Sequence, residues 1–133
     1  MRRAMLLLLV TLSLTLCLTS NLAPATPDPL EVWYDGYNVA LFNHELPDKI
    51  VIDHELHDDR FMAVTDTYAD GTFRISFNSK FEPSPKQGRE TLLHEMCHIR
   101  QSVEGESELD IHGQKWQNCM HKVADEKGFE PLW

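Results

Sequence analysis

Positive charge and cysteine are both scarce in this chain. Its 133 residues include 12 lysines and arginines against 21 aspartates and glutamates, which gives a formal net charge of −9. Such an acidic chain matches a phosphate backbone poorly, so no nucleic-acid partner is expected. The three cysteines form no C-x-x-C pair, which excludes a cysteine-rich zinc-binding segment. The sequence also shows no internal repeat and no low-complexity tract.

The one long apolar run lies at the N-terminus. Two arginines precede an apolar stretch over residues 4–18, and Ala23-Pro24-Ala25 follows as an A-x-A-like cleavage site. This order is typical of a secretory signal, so residues 1–25 are interpreted as a signal peptide and residues 26–133 as one domain. Export is therefore expected, as a secreted or periplasmic protein. The alternative is an uncleaved N-terminal anchor, and only then is contact with a membrane expected.

Hydrophobic spacing and turn residues predict an α+β fold. The Asp70-Gly71 turn indicates a hairpin, so a small three-stranded antiparallel sheet is expected beside the helices. Residues 53–59 mix histidines with acids and are interpreted as a solvated strand end rather than a second metal site. The predicted elements are a helix over residues 28–43, strands over residues 49–52, 61–68 and 73–77, a helix from about residue 86 or 89 to 103, and a helix over residues 113–127.

Residues 90–100 read ETLLHEMCHIR and contain an H-E-x-x-H motif. On a helix, His94 and His98 project from the same face one turn apart, where both imidazoles can reach one ion. Glu95 is offset around the axis, so it borders the ion without binding it, as a general base does. The motif also arises by chance on charged helices. Here, apolar flanking residues and the absence of proline and glycine over residues 90–103 indicate a packed helix.

A catalytic zinc takes three protein ligands and keeps one open position. His112 follows the motif at a plausible distance and is the predicted third ligand. Glu106 and Glu108 are the acidic alternatives.

Residues 26–133 contain two cysteines, Cys97 and Cys119. An even number in an exported protein indicates a disulfide, provided that their two helices pack together. The alternative is that both are small buried hydrophobic residues.

Several motifs, taken in order, resemble the SprT-like (Spartan-type) zinc metalloprotease domain. They are Tyr37-Asn38 with Leu41-Phe42-Asn43, Leu46-Pro47, residues 90–98, and His112-Gly113 with Trp116 and Met120. The resemblance implies a zincin-like α+β fold, zinc bound by His94, His98 and His112, and Glu95 as the catalytic base. Known members commonly act inside cells on proteins attached to DNA. That activity is not carried over to an acidic chain with an export signal.

The sequence therefore predicts a zinc metalloendopeptidase that hydrolyses peptide bonds through a zinc-bound water, with Glu95 as general base. The expected partner is a protein or peptide, which an exposed sheet edge would hold by strand addition. A non-catalytic zinc-containing module that binds peptides or proteins is the alternative. A peptide-deformylase-like enzyme needs a cysteine ligand upstream of the motif, and only Cys17 in the signal lies there.

Overall fold

The predicted order of helices and strands is confirmed. The computed structural model describes residues 25–107 and 109–130, so the predicted signal peptide, except Ala25, lies outside the described residues. No helix in the described ranges combines the length and the apolar character needed to cross a membrane. The elements are α1 (Pro29–Phe42), β1 (Val51–Leu56), β2 (Ala63–Thr67), β3 (Phe73–Asn78), α2 (Pro85–Val103) and α3 (Gln114–Lys127).

The first two helices begin at side-chain caps. Asp28 accepts a hydrogen bond of 2.9 Å from the Leu30 amide at the start of α1. Helix α2 begins at Pro85, one residue before the earlier of its two predicted starts. Ser84 and Gln87 form a reciprocal capping box around Pro85, and this box starts the helix.

The sheet is mixed, so the prediction of an entirely antiparallel sheet is wrong. Strands β2 and β3 do pair antiparallel, with Thr65 opposite Ile75, which confirms the predicted hairpin. Strand β1, however, pairs parallel to β3, and the order across the sheet is β1-β3-β2. Strand β1 also continues to Leu56, so residues 53–56 extend the strand predicted over residues 49–52.

A short loop explains why β1 is parallel. Residues 57–62 pass across the end of β3, and the buried Asn78 amide holds them there by donating to the carbonyl oxygens of Asp58 and Phe61. The chain reverses direction in this loop, and it reverses again in the hairpin between β2 and β3. Strand β1 therefore runs in the same direction as β3, on the side opposite β2. No local sequence pattern encodes that choice of side.

Helix α2 is the centre of the packing. It contacts α1, α3 and strand β2, and nine of its 19 residues are buried. The side chains in the core that are fully or almost fully buried include Ile75, Phe77, Leu92, Leu93, Met96, Ile99, Trp116, Met120 and Val123. A helix enclosed on three sides holds its side chains in fixed positions, which a site on that helix requires.

A disulfide joins α2 to α3. The sulfurs of Cys97 and Cys119 are bonded, and their Cα atoms lie 5.7 Å apart. The structure therefore confirms the first of the two interpretations of this pair, which is a disulfide. It lies directly beside His98, so it fixes the helix that carries the H-E-x-x-H motif against its neighbour.

Replacing both cysteines by alanine, as Cys97→Ala with Cys119→Ala, is expected to lower the free energy of unfolding by about 3 kcal/mol. The bond closes a loop with a sequence separation of 22 residues, and loops of that length give about this much through lost chain entropy. Urea denaturation measures the effect. Wild-type protein reduced with dithiothreitol is the matched control and should unfold like the double variant. Equal stability of the oxidised wild type and the variant would contradict a stabilising disulfide.

Candidate metal centre

Helix α2 presents His94 and His98 on one face. The two residues are one helical turn apart, and their Nε2 atoms lie 3.3 Å from each other. Both imidazoles are partly buried, whereas Cys97 and Ile99 beside them are fully buried. The motif therefore lies on a packed helix, as predicted, with its two histidines turned to one place.

His112 joins this pair from the turn that precedes α3. Its ring centroid lies 5.2 Å from that of His94 and 5.1 Å from that of His98. Each imidazole offers one ring nitrogen, and these three nitrogens all lie within 4.8 Å of one another. In the described ranges, these histidines form the cluster that could hold a metal ion. The structure thus brings together the three residues that the sequence predicts as ligands.

Trp116 sets the spacing between the three imidazoles. Its ring centroid lies 4.8 Å from His94, 5.4 Å from His98 and 4.1 Å from His112. Its indole Nε1 donates a hydrogen bond of 3.3 Å to the His94 carbonyl oxygen. The residue is fully buried, so it acts as a rigid spacer between α2 and α3.

Gln101 links the helix to the turn that carries His112, a role that sequence reasoning missed. Its side-chain amide donates a hydrogen bond of 2.6 Å to the Asp110 carbonyl oxygen, and its side chain is also hydrogen-bonded to His98. Ligand histidines are commonly oriented by such a partner. The burial of Gln101 and its contact with Asp110 follow from the packing of the chain, so no local sequence pattern identifies this role.

The acidic residues considered from the sequence have other contacts. Glu90, one turn before His94, has its Oε1 atom 3.6 Å from Lys86 Nζ. The Glu106 carboxylate accepts from the Lys115 amide at 3.1 Å and thereby caps α3. A Cβ atom at Gly113 would lie 2.8 Å from the Glu106 carboxyl carbon, so glycine allows this close approach. Glu108, the other acidic alternative for the third ligand, lies outside the described residues.

Glu95 is a buried carboxylate beside the histidine cluster. Only 4% of its surface is exposed, and the Thr65 hydroxyl donates a hydrogen bond of 2.7 Å to its Oε2. Burial raises the pKa of Glu95 to about 7, the nearby Asp66 charge acts in the same direction, and the Thr65 hydrogen bond opposes both. A carboxyl group with a pKa near neutrality is suited to accept and return a proton.

Two of the three histidines have a lowered pKa, which favours the form that binds metals. Burial, followed by the neighbouring His94 and His112, lowers the pKa of His98 to about 4, although its hydrogen bond to Gln101 opposes the change. Burial also lowers the pKa of His112. Neutral imidazole is the ligand form, so the donor set fits a transition metal such as zinc.

The cluster opens into a cavity of about 500 Å³. All five residues of β2 line it, together with the three histidines, Glu95 and the exposed Phe61 and Ile111. Strand β2 is an edge of the sheet, so the cavity has an open strand edge along one wall.

Histidines elsewhere have structural partners. His54 Nε2 lies 2.7 Å from Asp28 Oδ2, and His57 Nδ1 lies 3.0 Å from Ser79 Oγ.

Comparison with known protein families identifies one family that the chain matches. The model of the SprT-like family matches residues 30–131 of the chain. No curated protein matches the chain. The matched range includes all four predicted site residues and ends close to the described C-terminus.

Gln101→Leu is expected to lower zinc affinity by about 10- to 100-fold, the usual effect of removing a residue that orients a ligand. The change removes both the hydrogen bond to His98 and the bond to the Asp110 carbonyl. Competition with a chromogenic chelator measures the affinity. Gln114→Leu is the matched control, because the Gln114 amide bonds to Asn118 on the exposed side of α3. Equal affinities for the two variants, with unchanged circular dichroism, would contradict the role given to Gln101.

Proposed function

The chain belongs to the SprT-like family, and on this premise we propose that it is a zinc-dependent metallopeptidase that hydrolyses peptide bonds of protein substrates. The observation that carries the proposal is the convergence of three histidines beside a buried glutamate in an open cavity. The α+β fold with the H-E-x-x-H motif on its central helix is compatible with a zincin-like fold.

His94, His98 and His112 are the proposed zinc ligands. Three imidazoles leave one coordination position open, which is the arrangement of catalytic rather than structural zinc sites. A zinc ion held there would polarise a peptide carbonyl group and lower the pKa of a water molecule.

Glu95 is the proposed general base. Its carboxylate takes a proton from water, and the hydroxide oxygen forms a bond to the carbonyl carbon of the peptide. The same proton then passes to the amine nitrogen as the C–N bond breaks. The proximity of Glu95 to the histidines and its pKa near 7 both support this role.

The edge of β2 is the proposed binding site for substrate. An extended peptide can pair with the open edge of a strand, and its side chains then occupy neighbouring pockets. The exposed Phe61 and Ile111 offer apolar contacts along the same cavity. An unfolded or loosely folded polypeptide is therefore the expected substrate.

A non-catalytic module that binds zinc and peptide is the second candidate. The open edge of β2 supports a binding module as well as it supports a peptidase. The buried glutamate beside the histidines favours an enzyme, because a binding module gains nothing from a carboxylate that is costly to bury.

We further propose that residues 26–133 act outside the cytoplasm. The export signal in the sequence and the disulfide support this location, since disulfides persist in oxidising compartments. The acidic composition supports a function that does not involve nucleic acid.

Zinc-loaded residues 26–133 are expected to cleave casein, and Glu95→Gln is expected to reduce the rate by about 100-fold or more, the usual contribution of a general base. Glutamine keeps the shape of the side chain but cannot accept the proton. Electrophoresis of the products measures cleavage, and elemental analysis checks that both proteins hold equal zinc. Equal cleavage by the two proteins would refute the assigned base. No cleavage by the folded, zinc-replete wild type would favour the binding module.

His112→Ala is expected to lose most of its bound zinc, because two imidazoles hold zinc far more weakly than three. Elemental analysis after dialysis against a mild chelator measures the loss. His57→Ala is the matched control, since His57 is exposed and bonds to Ser79 at a distance from the cluster. Zinc retention by His112→Ala equal to that of wild type would exclude His112 as the third ligand.

A further inference from the structure

The carboxylate of Glu95 has a fixed neighbour on the sheet. The Thr65 hydroxyl donates a hydrogen bond of 2.7 Å to Glu95 Oε2, and its Oγ1 also lies 3.3 Å from the Glu95 carbonyl oxygen. With only 4% of Glu95 exposed, water contributes little to the orientation of the carboxylate. A hydrogen bond to an ionised group is roughly twice as strong as one between neutral groups. Thr65 is therefore a strong restraint on this side chain.

Strand β2 makes Thr65 a rigid donor. Thr65 pairs with Ile75 of the central strand, and Ile75 is fully buried. Side chains alternate along a strand, so Ala63, Thr65 and Thr67 share one face, and Thr65 meets α2 from that face. Branching at Cβ restricts the threonine χ1 angle. The hydroxyl consequently has little freedom to leave the carboxylate.

We propose that Thr65 is a positioning residue for Glu95, an inference that rests on the function proposed above. Its hydroxyl holds Oε2 and leaves Oε1 to accept the proton from water. A displacement of about 1 Å at a catalytic group can cost about 100-fold in rate. The orientation of the Glu95 carboxylate thus depends on a contact with the sheet as well as on its position in α2.

The same strand then performs two tasks. Its edge faces the cavity in which a substrate would lie, and its inner face holds the base. A peptide paired with β2 and the carboxylate bonded to Thr65 are both positioned by the five residues of Ala63–Thr67. The distance from substrate to base is therefore set within one short strand.

The first test compares Thr65→Val with Thr65→Ser in zinc-loaded protein. Valine has the shape of threonine without the hydroxyl, so kcat should fall about 10- to 100-fold, with KM and zinc content within about twofold of wild type. Serine restores the donor, so its kcat should return to within about threefold of wild type. Thr91→Val removes another buried hydroxyl, one turn before Glu95, and should keep wild-type kcat.

Three results would overturn the proposal. The first is a wild-type kcat for Thr65→Val. The second is an equal loss in Thr65→Val and Thr65→Ser, which would show that restoring the hydroxyl does not restore the rate. A loss confined to KM would also count against it, because that result indicates substrate binding and not orientation of the base.

A second measurement does not depend on activity, so it separates failure of this inference from failure of the proposed function. Unfolding of metal-free Thr65→Val, Glu95→Met and the double variant in urea forms a double-mutant cycle. If the two side chains interact, the double variant should lose less stability than the two single variants combined. Strict additivity would overturn the inference even if the protein proved to be an active protease.

Discussion

The separation of α2 and α3 is the constraint on which the candidate centre depends. Two imidazoles come from one turn of α2, but the third comes from the turn ahead of α3. Zinc–nitrogen bonds are about 2.0–2.1 Å long and tolerate only small errors. Three contacts of different kinds hold the two helices at this separation: the buried Trp116, the Cys97–Cys119 disulfide and the Gln101 bridge. Each of these contacts therefore contributes to the position of His112.

The part of the site that is local in sequence could be predicted from sequence. His94 and His98 share a face because the helical repeat places them there, and the helix itself follows from an apolar pattern without a breaker. The position of His112 depends on how α3 packs, so its role rested on order along the chain and on family resemblance. The sheet shows the same limit. The turn of the hairpin can be identified in the sequence, but no sequence pattern indicates on which side of β3 strand β1 lies.

Residues that support the site could not be predicted, for a related physical reason. Threonine is common in strands and glutamine is common in helices, so Thr65 and Gln101 have no distinctive local pattern. Their importance comes from a contact made across the fold: Thr65 meets a carboxylate 30 positions later in the chain. Closeness in sequence is no guide to such contacts, because Glu90, one turn before His94, lies against Lys86.

The disulfide also has a consequence for the unfolded chain. The ring that it closes contains both His98 and His112, and His94 lies three residues outside it. Even without helices, an oxidised chain keeps these imidazoles at a high effective concentration, so it retains some affinity for a transition metal. Metal that binds the unfolded state subtracts from the stability that metal gives to the native state. The oxidised protein should therefore gain less thermal stability from an added metal ion than the reduced protein.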